Sequence, residues 1–257
     1  MTQNERLVWL IRYLLNENEA YADTVLPADR EERFRLYRSL VNVRMPKPIS
    51  DEYLAVEDDF LKEEISLRGV TSLGELCEAE DGIYLWQGDI TCLACDAIVN
   101  AANSQLLGCF MPCHACIDNC IHTFAGVRLR LKCDELMSLQ GHPEKTGQAK
   151  LTPAYNLPSR YVLHTVGPIV QGALTVRDKA LLSSCYLQCL KLAEKNGIKS
   201  VAFCCISTGV FGFPQREAAE IAVKTVRQYR AEKGSNIKVI FNVFGDKDRE
   251  IYENLLG

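Results

Sequence analysis

Hydrophobic residues in the first 75 positions recur every three or four residues, which is the spacing of helices. They form three clusters, at 7–15, 34–41 and 53–65, with charged residues between them. The third cluster opens at Ser50-Asp-Glu, and the prolines of Arg44-Met-Pro-Lys-Pro separate it from the second. The segment contains no glycine before Gly69. The pattern predicts a helical extension with nothing in it that suggests chemistry.

The pattern changes at Gly82, where short apolar runs begin to alternate with amphipathic stretches. Such alternation predicts an α/β fold with a largely parallel sheet covered by helices on both faces. We therefore expect a helical N-terminal extension over residues 1–75 and an α/β domain over 76–257. The predicted strands are 83–86, 97–100, 161–164, 200–206 and 238–244, and the predicted helices are about 116–137, 177–196, 214–233 and 246–256.

Parallel sheets bind ligands beyond the carboxyl ends of their strands, so the loops at those ends are the candidate sites. Gly88-Asp89-Ile90-Thr91 follows the first strand. The carboxylate of Asp89 could accept a hydrogen bond from an exocyclic amine such as that of adenine. It could equally cap a turn, which is the simpler interpretation of these residues alone.

The loop from Ser207 to Pro214 links a strand to a helix and contains two glycines. Glycines let backbone amides approach an anion closely, and the following helix N-terminus adds positive potential. The loop therefore suits a phosphate or pyrophosphate, although a plain strand-to-helix turn would have the same composition. The chain has neither the Gly-Lys-Ser/Thr motif of P-loop NTPases nor the glycine pattern of dinucleotide-binding domains.

Several thiols and an imidazole occur close together downstream of the second strand. Thiolate and imidazole are zinc ligands, and three ligands with an open fourth position are typical of a catalytic zinc. Buried apolar cysteines with an incidental histidine would be the alternative. The candidates are Cys109, Cys113, His114, Cys116 and Cys120.

Two other groups near this cluster have weaker patterns. The pair Cys92-x-x-Cys95 has no second pair to complete a zinc knuckle, so packing is the expected role. Asp118 could be a helix cap, a base or a ribose ligand. His122 and His164 are expected to be structural histidines of the core.

Composition excludes several classes of function. Hydrophobic content of 47% and a net charge of −4 are ordinary for a globular protein and argue against binding to nucleic acid or an anionic membrane. No apolar run reaches the length of a membrane span, and we expect no signal peptide. The 12 cysteines then predict reduced thiols in the cytoplasm, some of them metal-bound and most of them buried.

Residues 82–257 resemble a macrodomain, the ADP-ribose-binding α/β module. This resemblance implies a three-layer α/β/α fold with a mixed, largely parallel sheet. Six motifs carry it, in the order of the family: Gly88-Asp-Ile-Thr, Asp96-Ala-Ile-Val-Asn-Ala-Ala-Asn103, Gly147-Gln-Ala-Lys150, Leu157-Pro, His164-Thr-Val-Gly-Pro168 and Ile206-Ser-Thr-Gly-Val-Phe-Gly-Phe-Pro214.

One loop departs from the commonest hydrolytic macrodomains, which carry a glycine-rich loop before an Ile-His helix. Here thiols and an imidazole replace those glycines between Cys109 and His122. The chain is similar in this respect to the zinc-containing macrodomains of microbes, which also have a helical N-terminal extension. That likeness implies a functional link to a sirtuin-class ADP-ribosyltransferase that modifies a lipoyl-carrier protein.

The resemblance also implies roles for individual residues. Cys109, His114 and Cys116 would bind Zn²⁺, and Asn103 and Asp118 would be catalytic. Asn103 would also hold the distal ribose of ADP-ribose. The remaining ADP-ribose contacts would come from Asp89 and Ile90 at adenine, from Phe244 stacked on adenine, and from the pyrophosphate loop of Ser207, Thr208, Gly209, Val210, Phe211 and Gly212.

The implied function is zinc-dependent removal of mono-ADP-ribose from acidic side chains of a modified protein. One alternative is a reader that binds ADP-ribose without cleaving it, with a structural zinc. The other is hydrolysis of a small ester, O-acetyl-ADP-ribose. Four protein ligands, with Cys113 or Cys120 recruited, would favour the reader.

Overall fold

Three helices form the N-terminal extension in the computed structural model, which describes all residues from 1 to 257. Each begins at a residue whose side chain accepts a hydrogen bond from the first turn, namely Thr2, Asp29 and Ser50. The pattern of apolar positions therefore predicted the extension correctly. The helices are α1 (Gln3–Asn16), α2 (Arg30–Val43) and α3 (Asp51–Arg68).

A seven-stranded mixed sheet forms the centre of the rest of the chain, in the order β2-β3-β9-β8-β5-β7-β6. Its five interior strands are parallel, and the edge strands β2 and β6 are antiparallel to their neighbours. A separate two-stranded ladder joins β1 to β4. The strands are β1 (Thr71–Ser72), β2 (Glu78–Glu80), β3 (Ile83–Gln87), β4 (Leu93–Ala94), β5 (Ala97–Ala101), β6 (Ala149–Pro153), β7 (Tyr161–Thr165), β8 (Ser200–Phe203) and β9 (Lys238–Val243).

Helices cover the sheet in two groups, which gives the three-layer α/β/α architecture expected from the sequence. One group packs in chain order, α6 on α7 and α7 on α8, whereas α4 and α5 pack on each other and α4 also contacts α2 and α3. The helices are α4 (Ile117–Ala125), α5 (Val127–Gln140), α6 (Val176–Lys195), α7 (Gln215–Lys233) and α8 (Asp246–Leu256).

Three details of the predicted elements were wrong. The stretch 116–137 is two helices, because Gly126 has a φ of +89°, which interrupts the helical backbone. Only glycine fits at this position, since a Cβ would lie 2.6 Å from Glu57 Oε2. The strand predicted over 200–206 ends at Phe203, where the chain turns into the loop. The edge strands β2 and β6 and the short ladder were not predicted, since edge strands lack a continuous apolar run.

The extension and the sheet share one hydrophobic core, which runs from Leu7 and Phe60 to the central strands. The β1–β4 ladder also attaches residues 71–72, beyond α3, to the α/β part. The boundary between residues 75 and 76 therefore stays a prediction about chain organisation.

All twelve cysteines are free thiols. Five are buried, six are half-buried and Cys77 is exposed, so the expectation that most are buried was too strong. Five of the six half-buried cysteines lie in loops, where a thiol does not have to fill the core, and the sixth, Cys120, lies in α4. None of the helices combines the length and the apolar character that crossing a membrane would require.

Candidate active site

The carboxyl ends of four parallel strands, β3, β5, β8 and β9, meet at one edge of the sheet. Asp89 follows the first of these strands and Asn103 the second. The loop 207–212 follows the third, and Phe244 follows the last. The predicted ligand-binding residues are therefore brought to the same edge by strand order alone.

Asp118 lies in the first turn of α4 and is almost fully buried. Its two carboxylate oxygens accept hydrogen bonds from different asparagines, Oδ1 from Asn100 Nδ2 at 2.8 Å and Oδ2 from Asn103 Nδ2 at 3.3 Å. Burial raises the pKa of Asp118 to about 6, although the Asn100 hydrogen bond and the charge of Arg130 act in the opposite direction. The carboxyl group therefore titrates nearer to neutrality than an exposed aspartate.

Asn103 links this carboxylate to the loop that follows. Its Nδ2 also donates to the carbonyl of Gly108 at 3.0 Å, and its Oδ1 accepts from the amide of Gln105 at 2.9 Å. Asn100, in the buried strand β5, was not among the predicted site residues. Its place in the motif Asn100-Ala-Ala-Asn103 was the one available signal.

The side chains of Cys109, His114 and Cys116 converge, with their ligand atoms all within 4.8 Å of one another. Cys109 Sγ lies 3.6 Å from His114 Nδ1, and the three residues are half-buried. Cys116 is also the N-cap of α4, two residues before Asp118. The trio and the buried carboxylate therefore share one loop and one helix start.

The trio fits a thiophilic cation. Burial raises the pKa of Cys116 to about 12, and the nearby Cys109 adds to the effect, so the protein alone does not stabilise a thiolate at Cys116. A bound dication would supply the compensating charge, and coordinating thiols are deprotonated by it. Two thiols and one imidazole are the donor set that zinc prefers.

The other two cysteines of the cluster are turned away from the trio and toward α2. Cys113 Sγ lies 3.2 Å from Ser39 Oγ and 3.3 Å from the carbonyl of Arg35. Cys120 Sγ accepts a hydrogen bond from Arg38 at 3.4 Å. Neither thiol is a fourth ligand in this arrangement.

Asp89 caps the short 3₁₀ helix Ile90–Cys92 through Oδ1, which accepts hydrogen bonds from the amide and the hydroxyl of Thr91 at 2.9 and 2.6 Å. Its Oδ2 is paired with Arg68 from the end of α3. The Arg68 guanidinium also lies 4.1 Å above the Phe124 ring. The capping role weighed from the sequence is therefore present, whereas a role at adenine remains a prediction.

The loop after β8 is a compact turn with free donors. The amide of Gly212 donates to the carbonyl of Gly209 at 3.0 Å, and the amide of Phe213 donates to Ser207 at 2.9 Å. Consecutive amides that have no protein acceptor can bind an anion. Those amides belong to Gly209, Val210 and Phe211.

Phe244 directly follows β9 and leaves 80% of its surface exposed. Its carbonyl accepts a hydrogen bond from Gln87 Nε2 at 3.2 Å, which fixes the backbone while the ring faces solvent. An aromatic ring that leaves its apolar surface exposed to water is typical of a ligand site, where a flat ligand can stack on it. The side chain of Ile90, by contrast, is buried, so a ligand would contact this residue through its backbone.

A second group of possible metal ligands, His122, Cys133 and His164, lies fully inside the domain. Asn100 Nδ2 is 3.2 Å from His164 Nδ1, so that nitrogen accepts and Nε2 carries the proton toward Thr152 Oγ1 at 2.9 Å. Burial lowers the pKa of His164 to about 3, so the ring is neutral, but both of its nitrogens are already used in hydrogen bonds to Asn100 and Thr152. This group is therefore part of the core.

His122 is buried in the core, as expected of a structural histidine, but neither ring nitrogen has a hydrogen-bond partner. Its Nε2 is 3.6 Å from Asp118 Oδ1, beyond hydrogen-bond distance. Burial lowers the pKa of His122 well below its ordinary value, which leaves the ring neutral.

Comparison with known proteins places this site in a family. The family model described as Macro domain matches residues 99–222. A Treponema medium protein named protein-ADP-ribose hydrolase is 55% identical over 261 residues, which cover 100% of both chains. A Staphylococcus aureus protein of the same name is 51% identical over 254 residues, 98% of this chain and 95% of its own.

Solved structures agree with this. A Trypanosoma brucei macrodomain in complex with ADP-ribose has a TM-score of 0.67 at 31% identity, over 86% of this chain and 95% of that one. A mutant Oceanobacillus iheyensis macrodomain with ADPR has a TM-score of 0.63 at 36% identity, over 70% and 95%. The fold and the candidate site at the carboxyl ends of its parallel strands together define a three-layer α/β ligand-binding module. The chain belongs to the macro domain family, among full-length relatives named protein-ADP-ribose hydrolases.

Proposed function

We propose that the protein is a zinc-dependent hydrolase that removes mono-ADP-ribose from acidic side chains of a modified protein. The observation that carries this proposal is that the ligand atoms of Cys109, His114 and Cys116 converge, and that Cys116 lies two residues before the buried carboxylate of Asp118. The names of the Treponema and Staphylococcus relatives support the hydrolase class.

The edge of the sheet supplies groups of the right chemistry for each part of ADP-ribose. An anion-binding row of amides suits the pyrophosphate, and an exposed aromatic ring suits the adenine. The ADP-ribose bound to the Trypanosoma brucei macrodomain supports this assignment. We propose Asp89 and Ile90 at adenine, Phe244 stacked on it, the 207–212 loop at the pyrophosphate and Asn103 at the distal ribose.

The bond to be broken joins the anomeric carbon of the distal ribose to a carboxylate oxygen of the carrier protein. Zinc held by three protein ligands would supply a Lewis acid and an open position at which the pKa of bound water falls to about 7. Asp118 acts as the general base or orients the attacking water, because its buried carboxylate lies in the first turn of the helix that Cys116 caps. Asn100 and Asn103 hold the two carboxylate oxygens in position.

The cellular context that we propose rests on the resemblance to the zinc-containing microbial macrodomains. It comprises a lipoyl-carrier protein as the modified substrate, a sirtuin-class ADP-ribosyltransferase as the enzyme that writes the modification, and the cytoplasm as the compartment. Twelve free thiols suit a reducing compartment.

The first experiment measures zinc content and ADP-ribose release on one purified sample, before and after chelation, with a mono-ADP-ribosylated carrier protein as substrate. We expect about one zinc per chain, and loss of release on chelation while the fold survives. Zinc and ADP-ribose binding without release from any carrier would make the protein a reader. Faster turnover of O-acetyl-ADP-ribose than of the protein-linked substrate would favour the small ester.

Two neighbouring thiols provide a matched pair of variants. Cys116→Ala should lose metal and turnover together, whereas Cys113→Ala, whose thiol faces Ser39, should keep both. Full turnover by a metal-free Cys116→Ala protein would contradict the zinc-dependent mechanism.

Asp118→Asn tests the base. Removal of a positioned general base lowers turnover by about 10²–10⁴-fold. The variant should still bind zinc and ADP, because neither the trio nor the 207–212 loop requires the carboxylate. Wild-type turnover by this variant would remove Asp118 from the mechanism.

A further inference from the structure

We infer that the N-terminal extension is part of the metal site, with Arg38 of α2 as a positioning residue for the ligand loop 109–116. This inference rests on the proposed function, since it concerns the same trio. Arg38 Nη2 donates hydrogen bonds to the carbonyl of the ligand His114 and to Asn119 Oδ1, both at 2.8 Å. Its Nε also lies 3.2 Å from Asn119 Oδ1.

Asn119 carries this contact to the other two ligands. It is fully buried, and its Nδ2 donates to the carbonyl of Met111 at 2.9 Å and to that of the ligand Cys109 at 3.3 Å. Its backbone amide lies 3.4 Å from Cys116 Sγ. The Arg38–Asn119 pair therefore touches the backbone or the thiol of every member of the trio.

A second residue of α2 fixes the middle of the loop. The buried Asn42 accepts a hydrogen bond from the amide of Cys113 at 2.9 Å and donates to Thr123 Oγ1 of α4 at 3.0 Å. Cys113 has a φ of +53°, a left-handed conformation that side chains other than glycine rarely adopt. The extension thus contacts the loop at Cys113, the residue of the loop with the left-handed backbone conformation.

The ligand loop 109–116 depends on contacts from the extension, because little within the loop itself holds it in place. Residues 109–116 contain no helix or strand, and the three ligand side chains are only half-buried. A flexible loop loses conformational entropy when it binds a metal, so contacts that order it beforehand raise the metal affinity. Loss of residues that orient metal ligands typically lowers metal affinity 10- to 100-fold.

The test compares zinc affinities of the full-length protein, measured by competition with a chromophoric chelator. Arg38→Ala should bind Zn²⁺ about 10- to 100-fold more weakly than the wild type. Arg38→Lys should also be weakened, because an ammonium group cannot bond His114 and Asn119 in the planar fork of a guanidinium. Arg35→Ala is the matched control, since this exposed arginine on the same helix makes no side-chain hydrogen bond or ion pair, and it should bind zinc normally.

Two further readouts separate positioning from general loss of structure. ADP lacks the distal ribose, so its affinity should be unchanged in Arg38→Ala if the rest of the cleft is intact. The absorption spectrum of the Co²⁺-loaded variant should shift, because ligand geometry changes, whereas that of Arg35→Ala should match the wild type.

Each result bears on one of the two proposals. Wild-type zinc affinity and an unchanged Co²⁺ spectrum in both Arg38 variants would overturn the positioning role and leave the hydrolase proposal intact. Equal loss of ADP and zinc binding in both variants would also overturn it, because Arg38 would then support the whole fold. Zinc binding that depends on Arg38, with release that survives chelation, would overturn the zinc-dependent mechanism alone. A wild-type protein that binds no zinc would overturn both.

Discussion

Glu57 of α3 accepts a hydrogen bond from the backbone amide of Val127, the first residue of α5, at 2.9 Å. The carboxylate is completely buried and also accepts from the hydroxyls of Tyr37 and Tyr53 at 2.8 and 3.1 Å. Because Gly126 offers no side chain to cap α5, a residue of the N-terminal extension takes that place. The extension is therefore joined to the α/β part by a buried carboxyl group.

This carboxyl group should make stability depend on pH. Burial raises the pKa of Glu57 from 4.5 to about 6, so the folded protein binds the proton more tightly than the unfolded chain. Its contribution is then fully present below pH 4.5 and is lost as the pH rises through about 6. The difference of about 1.5 pKa units corresponds to roughly 2 kcal/mol.

Glu57→Gln isolates this contribution from those of other carboxyl groups. The free energy of unfolding, measured with urea between pH 4 and 7, should fall with rising pH more steeply in the wild type than in the variant. Glu31→Gln is the control, because that glutamate is exposed in the first turn of α2. Parallel curves for wild type and Glu57→Gln would show that Glu57 does not titrate in this range.

Gly108 should tolerate no side chain. It has a φ of +80°, and a Cβ there would lie 2.7 Å from the ring of the buried His122. Gly141, at the end of α5, has a φ of +73° but open space around it. Gly108→Ala should therefore lower the free energy of unfolding by about 1–3 kcal/mol more than Gly141→Ala. Both substitutions place an alanine in a left-handed backbone conformation, but only the alanine at 108 also clashes with a side chain. Equal losses would mean that His122 moves aside at no cost.

The parts of the site that the sequence predicted are those determined over short distances. Cys109, His114 and Cys116 fall within eight residues, so one loop brings them together wherever it packs. Asp89, Asn103 and the 207–212 loop follow predicted strands, and parallel strands place their carboxyl ends at one edge. Chemistry and strand order were sufficient to predict that these residues lie together, whereas their roles stay predictions.

The contacts made by the extension could not be predicted in this way. Arg38 and His114 are 76 residues apart, and Arg68 and Asp89 are 21 apart, so both contacts depend on how the helices dock. An arginine on an amphipathic helix has the same pattern whether it faces solvent or a loop carbonyl. The break at Gly126 was also missed, because the apolar positions continue across it at helical spacing.

Phe244 should contribute to ligand binding and little to stability. Stacking of a base on an aromatic side chain is worth about 1–3 kcal/mol, so Phe244→Ala should weaken ADP-ribose binding by that amount in calorimetry. Its free energy of unfolding should change by less than about 0.5 kcal/mol, as for other exposed positions. Leu139→Ala, equally exposed at 80% but on α5 and outside the proposed site, should change neither quantity. Unchanged ADP-ribose affinity in Phe244→Ala would place adenine elsewhere.

Asp89→Asn should weaken ADP-ribose binding by about 1–3 kcal/mol, because the proposed acceptor of the adenine amine, Oδ2, would become an amide nitrogen. The substitution keeps an oxygen to cap Thr91, so the 3₁₀ helix should persist and melting should change little. Asp23→Asn, an exposed carboxylate in the extension, is the control for lost charge. A ligand analogue with hypoxanthine in place of adenine lacks the amine and should bind the wild type more weakly, yet bind Asp89→Asn about as well as ADP-ribose does. If the variant still prefers adenine by the wild-type margin, Asp89 serves only to cap the turn and pair with Arg68.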